Sequence, residues 1–437
     1  MIAIVGGGIT GLYLGHLLRQ QGIDFQLYEG QSRLGGNMGT VTEGPYQMDI
    51  GPNSLRMNAN FHHLLSDLGL LEEVVYSQPQ AKKRFVLRDG EYRAIPMSPP
   101  ALLFGSFFKW KQLRRLWKER KVPVGNDPNE TVDAFFRRRF GDLVADYLVG
   151  PFVSGIFAGD SSQLLIQSAF PQVKAWEKEY GSVLKGFMKG REKSEYKGIF
   201  SMRKGLGQLA EGIANSLGEQ VHTGKRLTGL QQDRRSWRLE FAEGSSATAD
   251  KVVLALPAPA IAKLVSGMQP ELAEKLTQVN YPSVSVVVTA YRRSDIGHPL
   301  NGFGALNNQL EARETLGTIF SSTVFPGRCP EDEVLLTTFV GGARHPEKAE
   351  WPDEHLLAAV VRDHRELLDA RRDPVFFKVV RWPQAIPQYD RAAVPAQEAA
   401  DSLVEQGIFL GGNWTGGISV PSCLEKAQFL CEQLTSG

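Results

Sequence analysis

Glycine at positions 6, 8 and 11 and an acid at position 29 are the residues whose types and spacing most directly imply chemistry. Gly6-Gly7-Gly8-Ile9-Thr10-Gly11 has the G-x-G-x-x-G spacing. Gly6 permits a tight turn, Gly8 lets backbone approach a pyrophosphate, and Gly11 lets a helix pack closely on a strand. Ile9 and Thr10 then open a helix whose unpaired N–H groups and positive dipole end favour phosphate. Glu29, 18 residues past Gly11 and followed by Gly30, is placed to accept hydrogen bonds from ribose hydroxyls. Arg33-Leu34-Gly35-Gly36-Asn37 adds a second glycine turn that suits a further pyrophosphate contact. At the far end, Gly411-Gly412-Asn413-Trp414-Thr415-Gly416-Gly417-Ile418-Ser419-Val420-Pro421 forms a second glycine-rich loop leading into a helix. Its four glycines let backbone approach a flat ring. The helix end would stabilise negative charge near N1 and C2=O of a reduced flavin. One loop for the pyrophosphate and one for the isoalloxazine point to FAD.

These loops need particular elements to hold them. Residues 1–5 read as a buried strand, 12–21 as a helix and 25–28 as a second strand ending at Glu29. The 49–54 stretch is a turn able to offer amides to a cofactor. Residues 84–95 read as a hairpin around Asp89-Gly90. From 97 to about 197 the pattern is helical, with a helix starting at Asp127-Pro128-Asn129-Glu130 and stopping at Gly141. A helix over 208–217 and strands near 222, over 237–241 and over 251–256 follow. Residues 281–292, 315–325 and 333–341 read as sheet strands, 408–411 as another, and Pro421 starts the last helix. This order implies a nucleotide-binding core built from 1–75, 198–257 and 400–437, interrupted by two insertions.

A length of 437 residues suggests two or three domains. A formal net charge of +1 gives no field that would favour nucleic acid. Cys329, Cys423 and Cys431 form no C-x-x-C pair and no metal-ligand spacing, which fits a reducing compartment and no metal. Residue 2 already lies in a strand, leaving no room for a signal peptide, so a cytoplasmic location is expected. Gly302-Phe303-Gly304 lacks the third glycine of a nicotinamide-nucleotide motif. The flavin must then be reduced by substrate and reoxidised by oxygen or a quinone, as in an oxidase or desaturase. His62-His63 reads as a helix-surface pair. The segment 101–121 sets Leu102, Leu103, Phe107, Trp110, Leu113 and Trp117 at helical spacing, with seven cations against Glu119. It suits an interfacial helix on anionic lipid, against the plainer reading of a solvated surface helix.

On these motifs the chain resembles the oxygen-dependent protoporphyrinogen/coproporphyrinogen oxidases, within the FAD-dependent amine oxidase superfamily. The more specific residues are Asp49-Ile50-Gly51-Pro52, Arg84-Phe85, Ala94-Ile95-Pro96, Glu130-Thr131-Val132 with Arg138-Arg139-Phe140-Gly141, and Gly155-Ile156-Phe157-Ala158-Gly159-Asp160. Ala169-Phe170-Pro171, Glu179-Tyr180-Gly181-Ser182, Gly302-Phe303-Gly304 and Ile386-Pro387-Gln388-Tyr389 continue the match. The resemblance implies an α/β plus α+β fold: a Rossmann-like FAD domain interrupted by a mixed-sheet substrate domain (76–96 with 258–399) and a helical, membrane-associating insertion (97–197). It implies six-electron oxidation of a porphyrinogen to a porphyrin in haem biosynthesis, with oxygen giving hydrogen peroxide. Cofactor contacts carry over to Gly6, Gly8, Gly11, Glu29, Gly36, Gly51, Pro52, Asn53, Ser54, Leu227, Asn413, Ile418, Ser419 and Val420. Ile9, Thr10, Gly30, Arg33 and Asn37 join them as motif neighbours. Substrate contacts carry over to Gly155, Phe303, Leu306 and Phe339.

The implied partners are a porphyrinogen, molecular oxygen, and a membrane surface on the inner face of the cell membrane of a bacterial-type chain. A ferrochelatase or a second copy is a further candidate. Two departures stand out. Several members carry an arginine after the hairpin, where Pro96-Met97-Ser98-Pro99-Pro100 has no basic residue, and Ser154 precedes Gly155 where some relatives have arginine. The propionate partner, the choice of porphyrinogen and any acid or base therefore stay unassigned. The alternatives are another FAD amine oxidase or desaturase, a non-catalytic carrier such as the Rab GDP-dissociation inhibitors, and a redox-dead scaffold.

Overall fold

Four short apolar runs, IAIV, FQLY, KVVLA and IFLG, are too continuous to face water on either side, and each is a strand of one parallel sheet. The computed structural model describes residues 1–96, 107, 108, 110–190, 196–234 and 236–436. In the parallel sheet Ile2–Val5 lies between Phe25–Tyr28 and Lys251–Ala255, with Val221–His222 and Ile408–Gly411 outside them. The register sets Val5 level with Tyr28 and Leu254, and Ala255 level with Gly411. The residues that follow each strand therefore gather along one edge. Helices Ile9–Gln20, Gly207–Leu217 and Val420–Thr435 cover one face through Leu12, Ile213 and Leu424. The other face carries the antiparallel strands Leu227–Asp233, Ser236–Phe241 and Ser246–Ala249 and the helices Ala258–Val265 and Pro270–Thr277. Residues 258–279 and 393–403 share this core. The packing thus groups with the parallel sheet some segments that the sequence division at 257 and 400 leaves to the substrate sheet.

A second sheet has seven strands. Phe376–Trp382, Val284–Arg292, Glu333–Gly341, Thr315–Ile319 and Gly304–Leu306 are antiparallel neighbours. Phe85–Arg88 joins Gly304–Leu306 in parallel and pairs with Glu91–Ala94. That hairpin turns at Asp89 and Gly90, both at positive φ (56° and 78°), the geometry that matches strand twist. The expected strand over 315–325 ends at Ile319, and Ser321–Val324 forms a helical turn instead. Helix Asp353–Leu368 covers one face of this sheet. The other face, with Val286, Val288 and Leu335, packs on Tyr46 and Met48 of the nucleotide-binding unit.

Between the two lies a helical insertion. Its helix Val132–Phe140 is capped by Thr131, whose hydroxyl accepts from the Ala134 amide at 3.2 Å, and stops at Gly141 (φ 88°). The expected start at Asp127 is a turn, because Glu130 is drawn into a buried ion cluster. There Glu119, Glu130 and Glu177 meet Arg138, Arg139 and Lys174 at 2.5–2.9 Å. Arg139 is fully buried between Glu119 and Glu177. Burial alone would raise the Glu177 carboxyl, but hydrogen bonds from Lys174, Arg138 and Arg139 outweigh it and hold it at about 2. Its folded pKa lies below the ordinary value near 4.3. The stabilisation is therefore complete above that value and lost as pH falls toward 2. Arg139→Leu should cost about 3–5 kcal/mol in urea unfolding at pH 7, because two carboxylates lose a buried partner. A loss below about 1 kcal/mol would refute this account of the cluster.

Candidate functional site

The glycines at the sheet edge divide by what surrounds them. A Cβ on Gly6 (φ 114°) would lie 2.3 Å from the Ala255 carbonyl oxygen, and one on Gly11 would lie 2.0 Å from that of Gly6. The fold itself requires both. A Cβ on Gly8 would meet no atom within 4 Å, so that glycine keeps clear a space that the chain does not fill. The amides of Thr10 and Gly11 face no acceptor among the described residues, as expected for the first turn of a helix awaiting an anion. Glu29 is fixed by both oxygens: Oε2 accepts from the Gly7 amide at 2.7 Å and Oε1 from the Gln31 amide at 2.8 Å. Lone pairs remain on each for a ribose. Gly30 packs on Arg226, the residue before buried Leu227. The second glycine turn sits against the first, with the Gly35 amide donating to the Gly7 carbonyl at 2.8 Å. Arg33 directs its guanidinium to the carbonyls of Gly36 (2.5 Å) and Met38 (3.2 Å), bracing this turn from within.

The 49–54 turn is anchored from below. Asp49 accepts from the Thr40 hydroxyl at 2.6 Å and the Leu206 amide at 2.8 Å, and pairs with buried Arg328 at 3.4 Å. Burial pushes the Asp49 carboxyl up against these partners, and it pushes the Arg328 guanidinium down. Gly51 lies so close to the second glycine turn that a Cβ would fall 1.8 Å from the Asn37 carbonyl oxygen. The Asn53 side chain donates to the Gly51 carbonyl at 2.8 Å, and Pro52 and Ser54 are half-buried beside it. Asn37 reaches across to the Ala385 carbonyl at 3.1 Å, and Trp382 donates to the Ile50 carbonyl at 2.7 Å.

The tail loop is held at three points. Buried Trp414 donates to the Gly411 carbonyl at 3.2 Å, Gln397 donates to the Trp414 carbonyl at 3.0 Å, and the Tyr389 hydroxyl meets both Asn413 and Gly417. Ser419 caps the following helix by accepting from the Ser422 amide. Ile418 packs on the helical-insertion core that contains Val153 and Phe157.

The four residues carried over as substrate contacts converge on the second sheet. Leu306 stands level with Gly317, and Gly317 with Phe339, so the three form one row across its strands. Gly317 is buried in that row, where a Cβ would lie 2.5 Å from the Ala305 carbonyl oxygen and 3.3 Å from the Leu306 side chain. Above it, a Cβ on Gly155 would lie 2.4 Å from Leu306. Phe303 lines a small cavity with Asn53, Ile319, Arg328 and Thr337, so a candidate cofactor residue and a candidate substrate residue share one space. The Arg84 guanidinium lies 5.1 Å from the centre of the Phe303 ring. Burial and neighbouring Arg56 push its pKa down, and neither arginine pairs with a carboxylate among the described residues. Sequence reasoning missed Arg84, Arg328 and Tyr389 as site residues, although two of them lie in motifs it had singled out. The loop 97–100 lies outside the described residues.

The flavin-containing amine oxidoreductase family matches residues 9–435. The mitochondrial protoporphyrinogen oxidase of Nicotiana tabacum is 30% identical over 97% of this chain and 92% of its own length. The coproporphyrinogen III oxidase of Bacillus subtilis is 24% identical over 98% and 96%. Among solved structures, a candidate protoporphyrinogen oxidase from Exiguobacterium sp. 255-15 superposes with a TM-score of 0.81 at 24% identity, covering 99% of this chain and 98% of that one. The open space at Gly8, the free amides and the anchored Glu29 fit the nucleotide end of such a cofactor. Gly8→Ala should leave apoprotein unfolding unchanged while weakening flavin binding about tenfold or more. Gly11→Ala should destabilise the apoprotein itself by about 1–3 kcal/mol. Equal effects of the two on unfolding would contradict this division.

Proposed function

The chain belongs to the flavin-containing amine oxidoreductases, in the protoporphyrinogen/coproporphyrinogen oxidase family, and we propose that it is an FAD-dependent oxidase converting a porphyrinogen to a porphyrin in haem biosynthesis. The observation that carries the reading is the open, anchored cofactor crevice at Gly8 and Glu29 in a chain that protoporphyrinogen and coproporphyrinogen oxidases match over nearly its whole length. The apolar side chains of Leu306 and Phe339 in the second-sheet row suit contact with a large flat ring system. FAD would be held by the Gly6–Gly11 loop, Glu29, the turns at 33–37 and 51–54, Leu227 and the tail loop at Asn413 and Ile418–Val420. When bound it supplies a two-electron acceptor. The chain's own task is positioning: a substrate C–H must be held about 3–3.5 Å from the acceptor. The sheet row and the helix Gly150–Phe157, which meet where Leu306 packs on Gly155, supply the surfaces that would do this. The net change removes six electrons and six protons, taken up by three molecules of oxygen as three of hydrogen peroxide. Arg84, desolvated beside Phe303 and without an acidic partner among the described residues, is a cation suited to a substrate carboxylate.

The purified protein, mixed anaerobically with protoporphyrinogen IX or separately with coproporphyrinogen III, should lose flavin absorbance with at least one of them, and porphyrin fluorescence should follow once oxygen is admitted to reoxidise the flavin. Bleaching by neither would overturn the reading, and the faster of the two identifies the substrate. Arg84→Ala should raise the concentration needed for half-maximal bleaching without slowing it at saturation.

Peripheral membrane association belongs to the same reading, with its surface relocated. Phe107, expected on the lipid-facing stripe, is buried with Phe108 against Val86. Residues 101–106 and 109 and the side chains of 110–113 lie outside the described residues. Helix Val183–Lys189 instead exposes Leu184, Phe187 and Met188 beside Lys185 and Lys189, and Phe152 and Ile156 are exposed on the helix Gly150–Phe157 of the same insertion. Trp117 is also exposed. Among the described residues no helix is long and apolar enough to cross a membrane. Replacing Leu184, Phe187 and Met188 together by serine should lower sedimentation with phosphatidylserine-containing vesicles and leave flavin content unchanged. Unaltered sedimentation would remove this surface from the proposal.

A further inference from the structure

Residues 385–390 touch the second glycine turn, the edge of the second sheet, the helical insertion and the tail loop. The Ala385 carbonyl accepts from Asn37 of the second glycine turn at 3.1 Å. The Gln388 amide donates to Asn280, at the edge of the second sheet, at 2.9 Å. The Gln388 side chain donates to the Phe157 carbonyl of the helical insertion at 2.9 Å, and the Leu165 amide donates to the Tyr389 carbonyl at 2.9 Å. The Tyr389 side chain completes the set at the tail loop.

That side chain is buried, and burial pushes its phenol pKa up, so the hydroxyl keeps its proton. It donates this proton to the Asn413 carbonyl at 2.8 Å and accepts from the Gly417 amide at 2.7 Å. One hydroxyl therefore bridges both ends of the turn 413–417. Within that turn Gly416 and Gly417 stand at φ 84° and 128°, where glycine is soft and nothing in the residue's own sterics fixes the direction of the next amides. Immediately beyond, the amides of Ile418, Ser419 and Val420 have no acceptor among the described residues. The clamp sits one residue before the three amides that must be aimed.

We infer that Tyr389 is a positioning residue for the flavin: its hydroxyl fixes the Gly416–Gly417 turn so that the 418–420 amides hold one direction toward the bound ring. The inference rests on the flavin reading above. It also makes the flavin loop answer to the helical insertion, because the same segment grips Phe157 and Leu165. Tyr389→Phe keeps the ring and removes only the bridge. The variant should fold, bind FAD about tenfold more weakly for the loss of two hydrogen bonds, and show a lower midpoint potential, since loosened amides stabilise a reduced, negatively charged ring less well. An affinity and a potential equal to wild type overturn the inference. If the wild-type protein itself fails to bind FAD, it is the flavin reading that fails instead. A second measurement needs no variant. In the wild-type apoprotein, hydrogen exchange should be slow at the Gly417 amide and fast at Ile418–Val420, with protection appearing at the latter when FAD is added. Fast exchange at Gly417, or no added protection at 418–420, rejects the role.

Discussion

Parallel pairing of Ile2–Val5 with a neighbour on each side is the constraint from which the rest of the molecule follows. Once Val5 is level with Tyr28 and Leu254, and Ala255 with Gly411, loops from opposite ends of the chain must leave the sheet at the same edge. Gly6 and Gly11 are glycines because that convergence leaves no room for a Cβ. Gly8 is free of that demand, and the space beside it is what a ligand would take. The crevice is thus a product of sheet register, as expected at the carboxyl ends of strands in an open α/β sheet.

Apolar cores hold each unit together, whereas directional polar contacts set the units against one another. The Asp49–Arg328 pair, the Asn37–Ala385 bond and the Trp382–Ile50 bond all cross between the nucleotide-binding unit and the second sheet. Hydrophobic contact alone, as between Met48 and Val286, would tolerate sliding. Buried hydrogen bonds do not, because a shift leaves a desolvated donor or acceptor unmade. The ion cluster around Arg139 does the same inside the helical insertion, beside the apolar core that Phe135 and Phe140 of the helix Val132–Phe140 share with Val153 and Phe157. Such clusters cost desolvation and return geometric definition more reliably than stability.

How much of this was legible in the sequence depended on range. The strands at 2–5, 25–28, 251–255, 333–341 and 408–411 and the hairpin at 85–94 were readable, because apolar runs and an Asp-Gly turn are local signals. The glycine loops were readable because their spacing is dictated by a short turn. The helix start at Thr131 was missed because Glu130 answers to Arg138 and Lys174, partners that no local rule reveals. Arg84 and Tyr389 escaped for the same reason: each owes its role to residues far away in the chain, Phe303 in one case and Gly417 in the other. Phe107 fits a helical stripe by spacing, but the fold buries it against the hairpin strand at Val86.

The order of strands in the parallel sheet has a consequence for how the molecule comes into being. One outer strand, Ile408–Gly411, is made long after the central strand Ile2–Val5, and the hairpin formed near residue 90 likewise waits for Gly304–Leu306 to join it to the second sheet. While the chain is being synthesised, then, the early strands have only part of their partners, and the apolar runs at 2–5 and 85–88 stay open to pairing with anything else at hand. Contacts so distant in sequence make for slow folding and a long exposure to aggregation. A cell producing this protein would have to shelter it until residue 411 had emerged, and the two glycine loops could first close on a common ligand only after that moment.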